Sequence, residues 1–331
     1  MNCLVLESEG TLPVWRDMAA PALDSDSVRI AISAAALNHR DVWMTKGLYP
    51  GVVYPVIPGS DGSGRVIEAA PGNESWIGRD VIINPSYDWG ANEAVQGSQF
   101  TILGMPRQGT FADEIVVPIS QLAAKPTHLD EIEAAALPLA GLTAYRALFS
   151  RAKLIAGERV LITGIGGGVA LFALQFAVAA GARVAVTSRS PEKIARALAL
   201  GAEAGFLYSE ANWPSQVLER FGRIQVAIDG AGGAGYLGLI DAAEPGARIV
   251  NYGGTAGNPT EFPARKVFWN QLSLLGTTMG SPTDFAAMTS FVDRHGIRPV
   301  IDEVFAMEDG AQAFQTMDAG TQFGKLVLKR S

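Results

Sequence analysis

The sequence predicts a two-part α/β protein: an irregular β-barrel, then a doubly wound parallel sheet with helices on both faces. Three observations carry that expectation. Short β-rich runs separated by proline and glycine fill residues 1–125. After Lys125-Pro126, strand-like and helix-length segments alternate to about residue 280. Among them lies Gly164-Ile165-Gly166-Gly167-Gly168, placed where a strand gives way to a helix, as a phosphate-binding turn requires.

Taken in order, Met1 to Glu7 alternates like a first strand and shows no basic region followed by an apolar signal core, so a cytoplasmic protein is expected. Val28 to Ile32, Gly64 to Glu68 and Asp80 to Asn84 read as barrel strands, and Asn73-Glu74-Ser75 reads as a turn. A helical segment over Asp130 to Ser150 precedes strands at 159–163, 182–187, 225–229, 247–252 and 273–278. The most apolar stretch, Val160 to Val186, is long enough to cross a bilayer as one helix, but its glycines break it into strand, turn, buried helix and strand. The last fifty or so residues hold a helix around 283–295 and end in Gly324 to Lys329, a strand expected to rejoin the first part. The expected domains are therefore 1–125, 126–280 and 281–331.

Composition narrows the function. With 331 residues, 48% hydrophobic and only 18% charged, the chain can bury sizeable cores and is not disordered. A net charge of −7 makes nucleic acid and anionic membrane poor partners and favours a small molecule. Cys3 is the one cysteine, which excludes an internal disulfide, an iron–sulfur cluster and a four-cysteine zinc site.

Arg159 to Thr163 is strand-like, the glycines follow at once, and Val169 to Ala180 is apolar on all sides. Glycines let the backbone turn sharply and bring a pyrophosphate against N–H groups at the amino end of the helix. A dinucleotide is the natural guest, with Gly164, Gly166, Gly167, Gly168 and Val169 as its contacts. The small residues fall at Gly164, Gly167 and Ala170, so the usual glycine pattern is met only loosely and a merely tight turn stays open. About 20 residues on, NAD binders place a carboxylate against the ribose. Here stand Ser188-Arg189-Ser190 and then Lys193, a set that favours NADP(H), although Ser190-Pro191-Glu192 also reads as a helix cap.

Several segments are similar to one family, end to end: Ala36 to Asp41, Gly47 to Pro50, Pro58 to Gly64, Leu139 to Tyr145, the glycine turn, and Phe268 to Ser281. The chain resembles the medium-chain dehydrogenase/reductase superfamily, which implies a GroES-like catalytic barrel and a Rossmann cofactor domain. In the zinc alcohol dehydrogenases of that superfamily, the catalytic ligands are a cysteine, a His-Glu pair and a second cysteine. By motif those positions are Asn38, Ser60-Asp61 and Leu139 here, and the loop from Asn84 to Gln108 has no cysteine for a structural zinc. No metal is expected, and His39, His128 and His295 do not share a ligand-like spacing. The resemblance is to the zinc-free branch of quinone oxidoreductases and enone or enoyl reductases. It implies NADPH-dependent hydride transfer to a quinone or an α,β-unsaturated carbonyl.

In place of the lost cysteine, Asn38 could hold the acceptor carbonyl or the nicotinamide ribose, or simply a turn. Tyr49 could offer a phenol or a π-surface to a planar substrate, and with Trp43 and the 84–108 loop would shape its site. Asp41 completes the catalytic candidates, chiefly as an orienting group beside His39 and Arg40. On the cofactor side the resemblance implies Thr143, Lys193, Tyr208, Gly253, Gly254, Thr277, Thr278, Met279 and Lys325; Gly230, after the strand ending in Asp229, would let the backbone pass close to the dinucleotide. It also implies a homodimer paired through Leu272 to Gly276. Two rivals remain: an enoyl reductase acting on carrier-bound chains, and a non-catalytic NADPH sensor.

Overall fold

The structure, a computed structural model, describes residues 1–330. The chain forms two compact units, one of Met1–Leu142 with the stretch from Gly280 onward, the other of Thr143–Met279.

The first unit is built on a seven-stranded sheet. Across it run Ile301–Ala306, Lys325–Lys329, Ser27–Ala36, Asp61–Ala69, Asp80–Ile83 and Leu122–Ala124, and Glu114–Pro118 also pairs with Ser27–Ala36. The central strand alternates buried and half-buried residues from Val28 to Ser33, the signature of one face on a core. At its end Ala34, Ala35 and Ala36 are all buried, because Ala135 and Ala136 of the helix Glu131–Ala136 close the other face against Ala34, Ala36 and Val327. Only small residues allow that approach. Gly64 is required for a similar reason, since a Cβ there would stand 2.1 Å from the Ala31 carbonyl oxygen on the paired strand. The barrel core gathers Leu4, Ile30, Val66, Phe111, Phe314 and Leu328.

Register builds the polar cluster described below. Lys325–Lys329 runs antiparallel to the central strand with Val327 opposite Ala36, and Asp61 pairs with Ala36 from the other side. Leu37 donates its N–H to Leu326 at 3.0 Å, which carries Lys325 to the level of Asn38. Three segments far apart in sequence thus end side by side.

The second unit is a six-stranded sheet with every pairing parallel, in the order Ala204–Leu207, Arg183–Ser188, Arg159–Ile162, Ile224–Asp229, Ala243–Asn251, Ser273–Gly276. Helices Gly168–Ala179, Pro191–Ala199, Trp213–Arg220, Gly235–Ala242 and Ala264–Trp269 alternate with the strands. The strand order reverses between Arg159–Ile162 and Ile224–Asp229, and in such sheets the crevice outside the carboxyl ends at that point is the ligand site. Beside the outer edge strand, Phe268 and Trp269 are exposed, 66% and 77%; this is the edge that the expected homodimer would cover.

The doubly wound sheet and the barrel match the expectation from sequence, with two differences. The strand Ala204–Leu207 was not anticipated, because its sequence Ala-Gly-Phe-Leu holds a glycine and no β-branched residue. The boundary between units falls at 142/143 rather than 125/126, because Glu131–Ala136 packs on the barrel, where Ser63 Oγ donates to the Glu131 carbonyl at 2.6 Å. No helix among the described residues is long and apolar enough to cross a membrane.

Candidate active site

The glycine turn occupies the switch point of the second unit. Gly164 and Gly166 have φ of +63° and +123°, a region open to glycine at little cost. The turn is pinned from behind, with the Ile165 N–H donating to the Thr187 carbonyl at 2.9 Å. Its front is open: a Cβ built on Gly164 or Gly167 meets nothing within 4 Å. Along Gly166 lies the Lys193 side chain, whose Nζ comes within 3.4 Å of the position a Cβ would take. An open glycine cradle at the amino end of the 12-residue helix Gly168–Ala179, with an ammonium beside it, fits the pyrophosphate of a dinucleotide.

Asp229 organises the carboxyl edge next to it. Fully buried, it accepts from Thr163 Oγ1 at 2.6 Å, from the N–H groups of Ala231 and Gly232, and from Asn251 Nδ2 at 2.9 Å. Asn251 in turn donates to the Gly253 carbonyl and accepts from the Thr277 N–H. Gly253, Gly254, Thr277, Thr278 and Met279 therefore lie on segments joined to one buried carboxylate, and Thr277 Oγ1 is buried without a hydrogen-bond partner. Thr143 is buried at the start of this unit. Gly230 needs to be glycine for a reason the sequence did not suggest, because the Tyr252 hydroxyl stands 2.4 Å from where its Cβ would be.

At the end of the neighbouring strand, Ser188 Oγ accepts the Ser190 N–H at 3.1 Å. Ser190 Oγ accepts the Lys193 N–H and donates to Glu192, so Ser190 is the helix cap. Arg189 is exposed, with no ion pair or side-chain hydrogen bond among the described residues, and Tyr208 is 45% exposed on the adjoining strand end. A guanidinium and a phenol are thus free where the cofactor's adenosine end would be read.

In the first unit, Asn38, Asp61 and Lys325 form one buried cluster. Lys325 Nζ donates to Asp61 Oδ2 at 2.9 Å and to Asn38 Oδ1 at 2.8 Å, while Asn38 Nδ2 donates to Asp61 Oδ2 at 2.9 Å. The other oxygen of Asp61 accepts the Leu139 N–H at 2.7 Å. Beside this cluster Arg40 Nη1 donates to Ser60 Oγ and to the Leu103 carbonyl, and the Tyr49 ring covers the guanidinium face at 4.8 Å. Part of His39 is exposed, yet desolvation of its ring and the Lys325 ammonium hold its imidazole below the ordinary value.

Three of the expected site residues lie in or beside this cluster. Strand pairing carries Lys325 into the barrel, where the residue is buried and its ammonium is paired with Asp61. Asn38 holds the Lys325 ammonium through Oδ1 and donates one Nδ2–H to Asp61. Asp41, the orienting candidate, is fully buried, accepts the N–H groups of Asn38 and Gly59, and fixes the start of the helix His39–Thr45. Sequence reasoning missed Ser60 and Leu103 as partners of Arg40, and nothing local in the sequence announces them.

Burial pushes the Asp41 carboxyl up to about 6, against the opposing pull of Arg40. A raised acid favours the protonated fold, so this residue's contribution to stability declines as pH rises from about 4 to 6 and is level above that. Asp41→Asn removes the titration. In urea unfolding from pH 4 to 7, the variant is expected to gain on wild type by up to about 3 kcal/mol. Parallel pH profiles for the two proteins would show that this carboxyl is not perturbed.

A zinc ion does not fit the barrel cluster. The positions that match the superfamily's ligands offer an amide already holding an ammonium, a serine hydroxyl held by a guanidinium, a carboxylate already paired with the Lys325 ammonium, and a leucine. No group of three or more potential metal ligands occurs among the described residues.

Residues 24–127 match the sequence model of the alcohol dehydrogenase GroES-like domain, and residues 168–294 that of the zinc-binding dehydrogenase. The chain is 36% identical to zinc-type alcohol dehydrogenase-like protein YogA of Leptosphaeria maculans, over 94% of this chain and 93% of the relative. It is 27% identical to the quinone oxidoreductase of Rattus norvegicus, over 96% and 93%. A solved structure described as an NAD-dependent alcohol dehydrogenase superposes with a TM-score of 0.95 at 35% identity, covering all of both chains.

Proposed function

From the chain's membership of the medium-chain dehydrogenase/reductase superfamily, we propose that it is a zinc-independent, NADPH-dependent reductase of quinones or α,β-unsaturated carbonyl compounds. The observation that carries this reading is the Lys325–Asp61–Asn38 cluster standing where the zinc-dependent members keep their ligands. A metal-bound alkoxide is the route for ordinary alcohols. Without those ligands, the chemistry that remains accessible is addition to a conjugated acceptor, where charge moves to an oxygen that hydrogen-bond donors can hold. The similarity to a quinone oxidoreductase supports the same choice.

Reduced nicotinamide, when bound, supplies the hydride. The chain's own part is positioning: the glycine turn and Lys193 receive the pyrophosphate, and the Asp229 network sets the loops at the sheet edge. Free Arg189, with no carboxylate at positions 188–190, supports NADPH over NADH. The solved structure described as NAD-dependent makes the cofactor a point to measure.

The test is steady-state NADPH oxidation with quinones, enals and enones, with saturated ketones as controls. Turnover confined to the conjugated acceptors and at least about tenfold faster with NADPH than with NADH is expected, a preference of about 1.4 kcal/mol. Arg189→Ala should remove most of that preference. Reduction of saturated ketones alone would overturn the reaction class, and equal use of NADH by wild type would overturn the cofactor assignment.

A further inference from the structure

Arg40 is 95% buried by side-chain environment, being only 5% exposed, and no carboxylate among the described residues lies within ion-pair distance of it. Its bonds are lopsided. Nη1 makes both of its hydrogen bonds, to Ser60 Oγ at 2.5 Å and to the Leu103 carbonyl at 2.6 Å. Nε and Nη2 are buried and have no hydrogen-bond partner among the described residues. These two nitrogens are the side-on edge of a guanidinium, whose parallel N–H bonds suit one oxyanion or a pair of oxygens. Buried donors are nearly always satisfied, and an unpaired buried cation is costly. A guanidinium anchored at one nitrogen, with the N–H groups of its other edge buried and unpaired among the described residues, is a place where a ligand oxygen would be held.

We infer that the Nε–Nη2 edge of Arg40 is the acceptor-oxygen site, receiving the carbonyl oxygen of the conjugated substrate and stabilising it as it becomes an enolate or quinol oxyanion. This rests on the reductase reading and names the residue that takes the developing charge. Hydride from the reduced dinucleotide forms a C–H bond at the β-carbon, the C=C pair shifts to make the enolate double bond, and the carbonyl π pair moves to oxygen. The dinucleotide leaves oxidised, and a proton from water to the α-carbon restores a saturated carbonyl. A charged donor shielded from solvent is worth most at the moment charge appears, so the interaction acts on the transition state more than on binding. The Tyr49 ring on the guanidinium face gives a flat neighbour for a planar acceptor, and the anchors at Ser60 and Leu103 fix the direction of the edge. Lys325, already shared between Asp61 and Asn38, has less to offer a substrate.

Arg40→Lys is the discriminating variant, because an ammonium can keep the bonds to Ser60 and Leu103 but has no second edge. With NADP⁺-loaded protein, 4-nitrophenol serves as the oxyanion probe and its phenolate absorbance as the readout. Wild type is expected to bind it as the phenolate, and the variant at least tenfold more weakly. In turnover, kcat should fall at least about 100-fold with KM changed less than about fivefold, the loss seen when an oxyanion donor is removed. Equal phenolate binding by the two proteins, or a variant whose kcat is retained, would overturn the assignment. Arg40-dependent phenolate binding with no reducible acceptor would leave the oxygen site standing and remove the reductase reading instead.

Discussion

Gly167→Val is expected to leave the free protein folded, with a melting temperature within about 3 °C of wild type, and to weaken dinucleotide binding at least about 100-fold, or about 2.7 kcal/mol. The separation of the two effects follows from geometry. Gly167 has φ −77° and ψ 154°, an extended conformation that valine adopts without strain. A Cβ there meets nothing within 4 Å, so the first carbon of the new side chain displaces no protein atom. The same emptiness is what a pyrophosphate would fill, against the N–H groups that begin the helix Gly168–Ala179. Gly164 is a poorer test despite equally open space, because its φ of +63° would add strain to any side chain and mix stability with binding. Isothermal titration with NADPH beside a thermal melt reads both quantities. A variant that binds within threefold of wild type would mean that this turn is not where the phosphates go.

The turn was legible in the sequence because strand, glycines and helix are contiguous, so local pattern alone places them. Asp229 was legible as the end of one apolar strand for the same reason. The barrel cluster was not. Asp61 and Lys325 are 264 positions apart and meet only through the register of three strands, which hydrophobic alternation does not specify in detail. Motif likeness marked Lys325 as functional, but not as the partner of Asp61 and Asn38. Arg40 beside Asp41 in sequence suggested a mutual pair, but successive helical residues point about 100° apart and do not face each other. Asp41 turns back to the Asn38 and Gly59 N–H groups, while Arg40 reaches Ser60 and Leu103. An empty guanidinium edge is a property of what fails to meet it, and sequence carries no sign of that.

Lys325→Met is expected to lower the stability of the first unit by about 3–5 kcal/mol, the cost typical of removing one partner from a buried ion pair. Methionine matches the lysine stem and packs in its place, so lost volume contributes little. What remains is the Asp61 carboxylate, fully buried, with Oδ1 on the Leu139 N–H and Oδ2 reduced to the Asn38 amide. Asn38 suffers as well, since its Oδ1 loses the ammonium. Adding Asp61→Asn should recover most of the loss, because a neutral amide can still accept from Leu139 and leaves no isolated charge. The double variant is therefore expected to lie within about 2 kcal/mol of wild type, and the coupling between the two sites to exceed about 1.5 kcal/mol. Urea unfolding followed by a probe on the barrel measures all four corners of the cycle. Strict additivity would mean that the two groups do not depend on each other, and the cluster would then be a pair of separate surface-like interactions rather than the buried frame on which Asn38 and the neighbouring Arg40 are set.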